Sequence, residues 1–183
     1  MTKVLMIVAN PATSPVTGWP VGFWWAELSH AWFEFMQAGY EVTFASPEGG
    51  DLEADGWSDP EHETGYAAKD LISLGFKKSL VTAPLIKNTP ALSAVKIEDH
   101  DAIFVVGGQA PMINMFEDEA LHRFVAETYE TGRITAAVCH GSCILLKTRL
   151  SNGDLLVKGK TWTGFANSEE RYAEGAAGQK IQP

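Results

Sequence analysis

The chain has 183 residues, enough for one domain with a substantial core. Hydrophobic residues make up 45 % and charged residues 20 %, the balance of a folded protein rather than a disordered one. A net charge of −9 argues against nucleic acid or an anionic membrane surface as a partner.

Lys3 to Ala9 reads as a first strand, continuous and partly β-branched, and so central in its sheet. Its apolar run is too short for a signal segment and is followed by Asn10-Pro11. No stretch is long and apolar enough to span a bilayer, and a cytoplasmic location is expected. Asn10 to Pro20 is a loop with three prolines, long enough to overhang a site. Gly22 to Ala38 is a helix with a wide apolar stripe (Trp24, Trp25, Leu28, Trp32, Phe35, Met36), ended by Gly39. Glu41 to Ser46 is a second strand. The acidic segment Asp51 to Tyr66 reads as an irregular excursion, Ala67 to Phe76 as a short helix, and Thr89 to Val95 as weakly helical with Asn88 as its cap. Asp101 to Val106 is a buried strand stopped by Gly107-Gly108, and Glu117 to Thr131 is the best helix, with Leu121, Phe124 and Val125 on one face. Arg133 to Val138 is an apolar strand buried on both faces, and a helical pattern begins at Ile144. Leu155–Val157 and Lys160–Phe165 read as a strand pair, or as a strand reached through a turn at Lys158-Gly159. Strands alternating with helices predict an α/β fold: a mostly parallel sheet, helices on both faces, and ligands beyond the strands' carboxyl ends.

Candidate chemistry centres on Ala137-Val138-Cys139-His140-Gly141-Ser142. A cysteine at a strand-to-helix elbow is lifted out of the sheet, and a helix N-terminus there favours thiolate. The two cysteines, Cys139 and Cys143, lie too close in sequence to make a disulfide framework, which suits a reducing compartment. The N–H groups of Gly108 and His140 are candidates for an oxyanion hole. Glu27 lies among tryptophans, where desolvation would keep it protonated and able to exchange a proton with sulfur. A base at His140 needs an orienting acid, and Asp154, Glu169, Glu170 and Glu174 are all available. The spacing of Glu27, His30 and Glu34 suits metal ligands, but one helix supplies too few, so no metal is expected. His62 and His100 read as solvated loop residues and His122 as helix surface. Gly107-Gly108-Gln109 lacks the further glycines of a dinucleotide loop.

Taken together, these residues resemble the ThiJ/PfpI superfamily, whose fold is class I glutamine-amidotransferase-like (flavodoxin-like, three layers). The likeness is stronger to its heat-shock-chaperone-like branch, which includes glutathione-independent glyoxalases of the glyoxalase III type. The matching stretches are Thr17-Gly18 through Gly22-Phe23-Trp24 to Glu27-Leu28, Glu41 to Pro47 with Gly49-Gly50, Asp101 to Val105 with Gly107-Gly108, Ala137 to Gly141, and Thr163-Gly164-Phe165 with Glu169-Glu170.

The resemblance implies Cys139 as nucleophile, His140 as its proton partner, Glu27 as the carboxyl touching sulfur, and Glu170 (or its neighbour Glu169) as the acid orienting His140. It implies a cofactor-independent conversion of methylglyoxal or a similar small 2-oxoaldehyde to a hydroxy acid, a lyase of the D-lactate dehydratase type. It also implies a homodimer. Alternatives are a deglycase or amidase-type hydrolase, and a stress chaperone or redox sensor in which Cys139 is oxidised and the Trp19–Trp32 segment binds partners. A member without catalysis is the remaining reading. Gln109-Ala110 and Ser142 depart from the pattern of many relatives and are expected in the pocket wall. Residues 1–183 read as one domain that lacks the family's last strands and helix, so a shortened chain or a covering partner is expected.

Overall fold

The computed structural model describes residues 1–181. Gln182 and Pro183, at the end of the terminal segment singled out above, lie outside the described residues. Four parallel strands form the central sheet: β1 (Lys3–Ile7), β4 (Glu41–Ala45), β5 (Ala102–Val105) and β6 (Ile134–Ala137), in the order β4-β1-β5-β6. A two-residue hairpin, β2 (Ala12–Thr13) with β3 (Pro20–Val21), organises the proline loop that follows β1.

Alternation along β1 and β5 builds the layers. Side chains of successive strand residues point to opposite faces. Leu5, Ile7, Ile103 and Val105 enter one apolar cluster, while Met6, Val8 and Val106 enter the other. After the short helix α3 (Pro111–Asn114), the first cluster is closed by α4 (Glu119–Glu130) through Leu121 and Val125. The second is closed by α1 (Trp25–Gln37) through Trp25 and Leu28, and by Phe76 of α2 (Leu71–Lys78). Burying one such leucine contributes about 1.5–3 kcal/mol. The carboxylate of Asp118 accepts the N–H groups of Ala120 and Leu121 and caps α4, worth about 1 kcal/mol. Gly39, at φ +76°, carries the chain out of α1 in the left-handed conformation.

Register places the site. Ile7 pairs with Ala45 and with Val105, and Val105 with Ala137, so the carboxyl ends of all four strands fall on one edge. The loops carrying Asn10, Gly107-Gly108 and Cys139 therefore leave from the same side, where ligands gather in open α/β sheets.

Several expectations are corrected. β6 pairs with β5 alone among the described residues, and Ile134 is 68 % exposed, so the strand before Cys139 is an edge and not a doubly buried strand. Leu155–Val157 and Lys160–Phe165 do not pair; the local ladder is a single bridge between Arg149 and Leu155. A helix instead forms at Asn167–Ala177 (α5), where no element is expected from the sequence. The turn after β6 is a 3-10 segment, Cys139–Leu146, rather than an α-helix. Asn88 caps nothing; it sits at φ 47° in the turn before the short 3-10 piece Leu92–Ala94. His122 is buried, with Nδ1 against the Thr148 hydroxyl and Nε2 against the Phe116 carbonyl. Both ring nitrogens are satisfied locally, so burial leaves no orphan.

Candidate active site

Cys139 is the second residue after β6 and adopts φ 51°, a left-handed conformation that costs a non-glycine residue about 1–2 kcal/mol. The surroundings hold it there. The Cys139 carbonyl accepts the Ser142 hydroxyl at 2.6 Å, and the Gly141 N–H bonds to the Val138 carbonyl. A Cβ on Gly141 would stand 2.8 Å from the carbonyl oxygens of both Val105 and Val106, so only glycine lets the elbow pack against β5.

Two side chains from different elements meet the sulfur. His140 Nδ1 lies 3.4 Å from Cys139 Sγ, and His140 Nε2 lies 2.5 Å from Glu170 Oε1 on α5. Phe165 stacks on the imidazole with ring centroids 4.4 Å apart. From the first helix, the Glu27 carboxyl hydrogen-bonds Cys139, and its Oε2 accepts the Gly107 N–H at 2.9 Å. The N–H groups of Gly108 and His140 also point at the sulfur. The acid, thiol, imidazole and second acid thus form one connected line. Glu169, the alternative to Glu170, turns away and accepts the Ala166 N–H at the start of α5.

Electrostatics correct the thiolate expectation. Burial pushes the Cys139 thiol well above its ordinary range; the Glu27 charge and its hydrogen bond add to this, and the two backbone N–H groups only partly offset it. The same burial raises Glu27 to about 7, against the lowering pull of its bonds to Cys139 and Gly107. A group poised there exchanges protons at neutral pH.

The sulfur opens into a cavity of about 450 Å³, lined by Glu27, Cys139, His140 and Glu170 together with Trp24, Trp57, Tyr66, Gln109, Phe165 and Tyr172. Of the three tryptophans around Glu27 in sequence, Trp24 alone lines this cavity. Trp25 and Trp32 pack edge-on against Phe76 in the core. Gln109 faces the cavity, whereas Ala110 is fully buried and Ser142 serves the elbow, so one of the three departures reaches the pocket wall. His30 bonds Asp70 across α1 and α2, and no cluster able to hold a metal occurs among the described residues. No helix of the described residues is long and apolar enough to cross a membrane.

The sequence reading missed Asp55. It lies in the acidic excursion yet is 2 % exposed, and burial raises it to about 7 with help from the Glu27 charge. Its Oδ1 accepts the Gly22 N–H at 3.1 Å and its Oδ2 the Gln109 N–H at 2.7 Å. The local signal is faint, because Asp51, Glu53 and Asp59 flank it and only Leu52, Ala54 and Trp57 hint at burial.

The family model described as "DJ-1/PfpI family" matches residues 21–180. Glyoxalase 3 of Candida albicans is 28 % identical over 178 residues, covering 93 % of this chain and 71 % of that protein. The probable glutathione-independent glyoxalase hsp3104 of Schizosaccharomyces pombe is 36 % identical over 86 residues, covering 47 % of this chain and 39 % of that protein. The X-ray structure of the Francisella tularensis Rapid Encystment Protein of 24 kDa superposes with a TM-score of 0.85 at 24 % identity, over 99 % of this chain and 76 % of that one. That likeness is one of fold. The chain spans well under half of the fission-yeast relative and about seven-tenths of the Candida one.

Proposed function

The chain belongs to the DJ-1/PfpI family, and from that premise we propose that it is a cysteine-based, cofactor-independent glyoxalase acting on methylglyoxal or a similar small 2-oxoaldehyde. The observation that carries the reading is the line Glu27–Cys139–His140–Glu170 at the floor of an aromatic-walled cavity. The names of the Candida and fission-yeast relatives support the same reaction class.

The roles follow from the contacts. At rest the thiol keeps its proton, because burial and Glu27 disfavour the anion. When an aldehyde enters, the sulfur proton passes to His140 Nδ1 and the S–C bond forms at the aldehyde carbon. The carbonyl electron pair moves to oxygen, within reach of the Gly108 and His140 N–H groups. Glu170 on Nε2 holds the imidazole and favours its charged form. Glu27, poised near neutrality, takes the proton from the former aldehyde carbon, and a proton returns to the neighbouring carbon. The hemithioacetal becomes a thioester with no external oxidant. Water then cleaves it, so the 2-oxoaldehyde plus one water gives the 2-hydroxy acid and free Cys139.

Methylglyoxal consumption without glutathione, with lactate measured as product, tests this. The wild-type chain should turn over and Cys139→Ala should not. Equal rates in the two proteins would overturn the reading.

A further inference from the structure

Three successive backbone N–H groups leave β5 toward three different acceptors. Gly107 donates to Glu27 Oε2 at 2.9 Å, Gly108 points at Cys139 Sγ, and Gln109 donates to Asp55 Oδ2 at 2.7 Å. The outer two are pinned by carboxyl groups, and the middle one faces the reacting atom. Gly108 is held at φ 105°, where a Cβ would stand 2.4 Å from the Gly22 carbonyl oxygen, so only glycine fits this close approach.

Asp55 does more than accept one N–H. Its other oxygen takes the Gly22 N–H, its own N–H donates to the Phe23 carbonyl, and its carbonyl accepts both the Ser58 N–H and the Ser58 hydroxyl. Ser58 Oγ in turn accepts the Trp25 N–H at the start of α1. One buried residue therefore ties the entry of the Glu27 helix to the loop beside the sulfur. Asp55 is not among the residues that line the cavity.

Building on the glyoxalase reading, we propose that Asp55 is a positioning residue that fixes the Gly108 N–H on the sulfur and on the oxyanion that forms next to it. Both carboxylate oxygens accept an N–H. An amide side chain offers one acceptor and one donor, so Asp55→Asn leaves either Gly22 or Gln109 facing a donor. Loss of the Gln109 anchor frees the peptide that carries Gly108. The damage falls on the charge that develops at the carbonyl oxygen, which exists only along the reaction path.

The test has two arms on the full chain. In the first, Asp55→Asn should lower kcat for methylglyoxal roughly 10–100-fold, part of the loss seen on deleting an oxyanion donor, with KM within about twofold. In the second, the rate of iodoacetamide alkylation at pH 9 is followed by mass analysis of the Cys139 peptide. It should fall roughly 3–10-fold, because a sulfur without its N–H donor ionises less readily. Removing a negative charge nearby would by itself speed alkylation, so a fall isolates the misaimed N–H. The second arm needs no turnover and holds even if methylglyoxal is not the substrate. Asp55→Asn that unfolds cooperatively in urea yet keeps wild-type kcat and alkylation, or changes only its midpoint or KM, overturns the proposal. Should Asp55→Asn not fold, Ser58→Ala loosens the seat of Asp55 and leaves the carboxylate intact. A smaller drop in both readouts is expected, and wild-type values in both refute it.

Discussion

The buried carboxyl of Glu27 makes the stability of the chain depend on pH in a way that one substitution isolates. Burial raises this group from 4.5 to about 7. The folded state thus binds its proton more tightly than the unfolded state does. For a raised acid the stability is greatest below about 4.5 and is lost as pH climbs toward 7. The shift, 7 minus 4.5, corresponds at 1.36 kcal/mol per pH unit to about 3 kcal/mol against the ionised form. Glu27→Gln keeps the size, keeps an oxygen for the Gly107 N–H, and does not titrate. Asp55 titrates in both proteins, so its contribution largely cancels in the difference. Urea unfolding at pH 5 and at pH 8 should show the variant gaining about 2–3 kcal/mol on the wild type between those values. A difference that stays flat across that range would mean that Glu27 is ionised throughout, and its role as a proton carrier would go with it.

Other outcomes follow from the same contacts. Gly107→Ala places a Cβ 2.4 Å from Glu27 Oε2 and 2.7 Å from Cys139 Cβ, so turnover should be lost and urea stability should drop by about 1–3 kcal/mol, as overpacking does. Glu170→Gln keeps a hydrogen-bonding oxygen beside His140 but removes the charge that steadies the imidazolium; kcat should fall at least about tenfold, with KM little changed. His122→Phe leaves the Phe116 carbonyl without its donor, while the Thr148 hydroxyl keeps the Ile144 carbonyl as acceptor, and should cost about 1–3 kcal/mol, read by urea unfolding. Cys139 should be sluggish toward peroxide at pH 7, because sensor thiols owe their reactivity to thiolate character; rapid sulfinic acid formation in the Cys139 peptide would favour the redox-sensing alternative.

Much of the frame is legible in the chain because its strands are short, apolar and bounded by turn residues. Lys3–Ile7, Glu41–Ala45, Ala102–Val105 and Ile134–Ala137 all fall inside the stretches read as strands, with ends differing by a residue or two. Glu27, Cys139, His140 and Glu170 adjoin one another in the fold, and Glu170 rather than Glu169 is the one beside His140. Asp55 was illegible for a physical reason: its burial is created by Gly22 and Gln109, 33 and 54 residues away, and no local pattern records them. α5 was missed because its sequence, Asn-Ser-Glu-Glu-Arg-Tyr-Ala-Glu-Gly-Ala-Ala, lacks an apolar stripe. The strand pair expected around Lys158-Gly159 failed for the opposite reason. Its β-branched and aromatic residues suit a strand, but the only bridge nearby ties Leu155 back to Arg149.

α5 holds no buried residue, yet it delivers the carboxylate that steadies the imidazole. The thiol and the first acid ride on the well-packed interior, whereas the second acid hangs from a thin outer strap. Such segments detach with far less free energy than the whole molecule needs to melt. Warming should therefore stop the proposed methylglyoxal turnover reversibly while near-ultraviolet circular dichroism still reports an intact interior, and cooling should restore it at once.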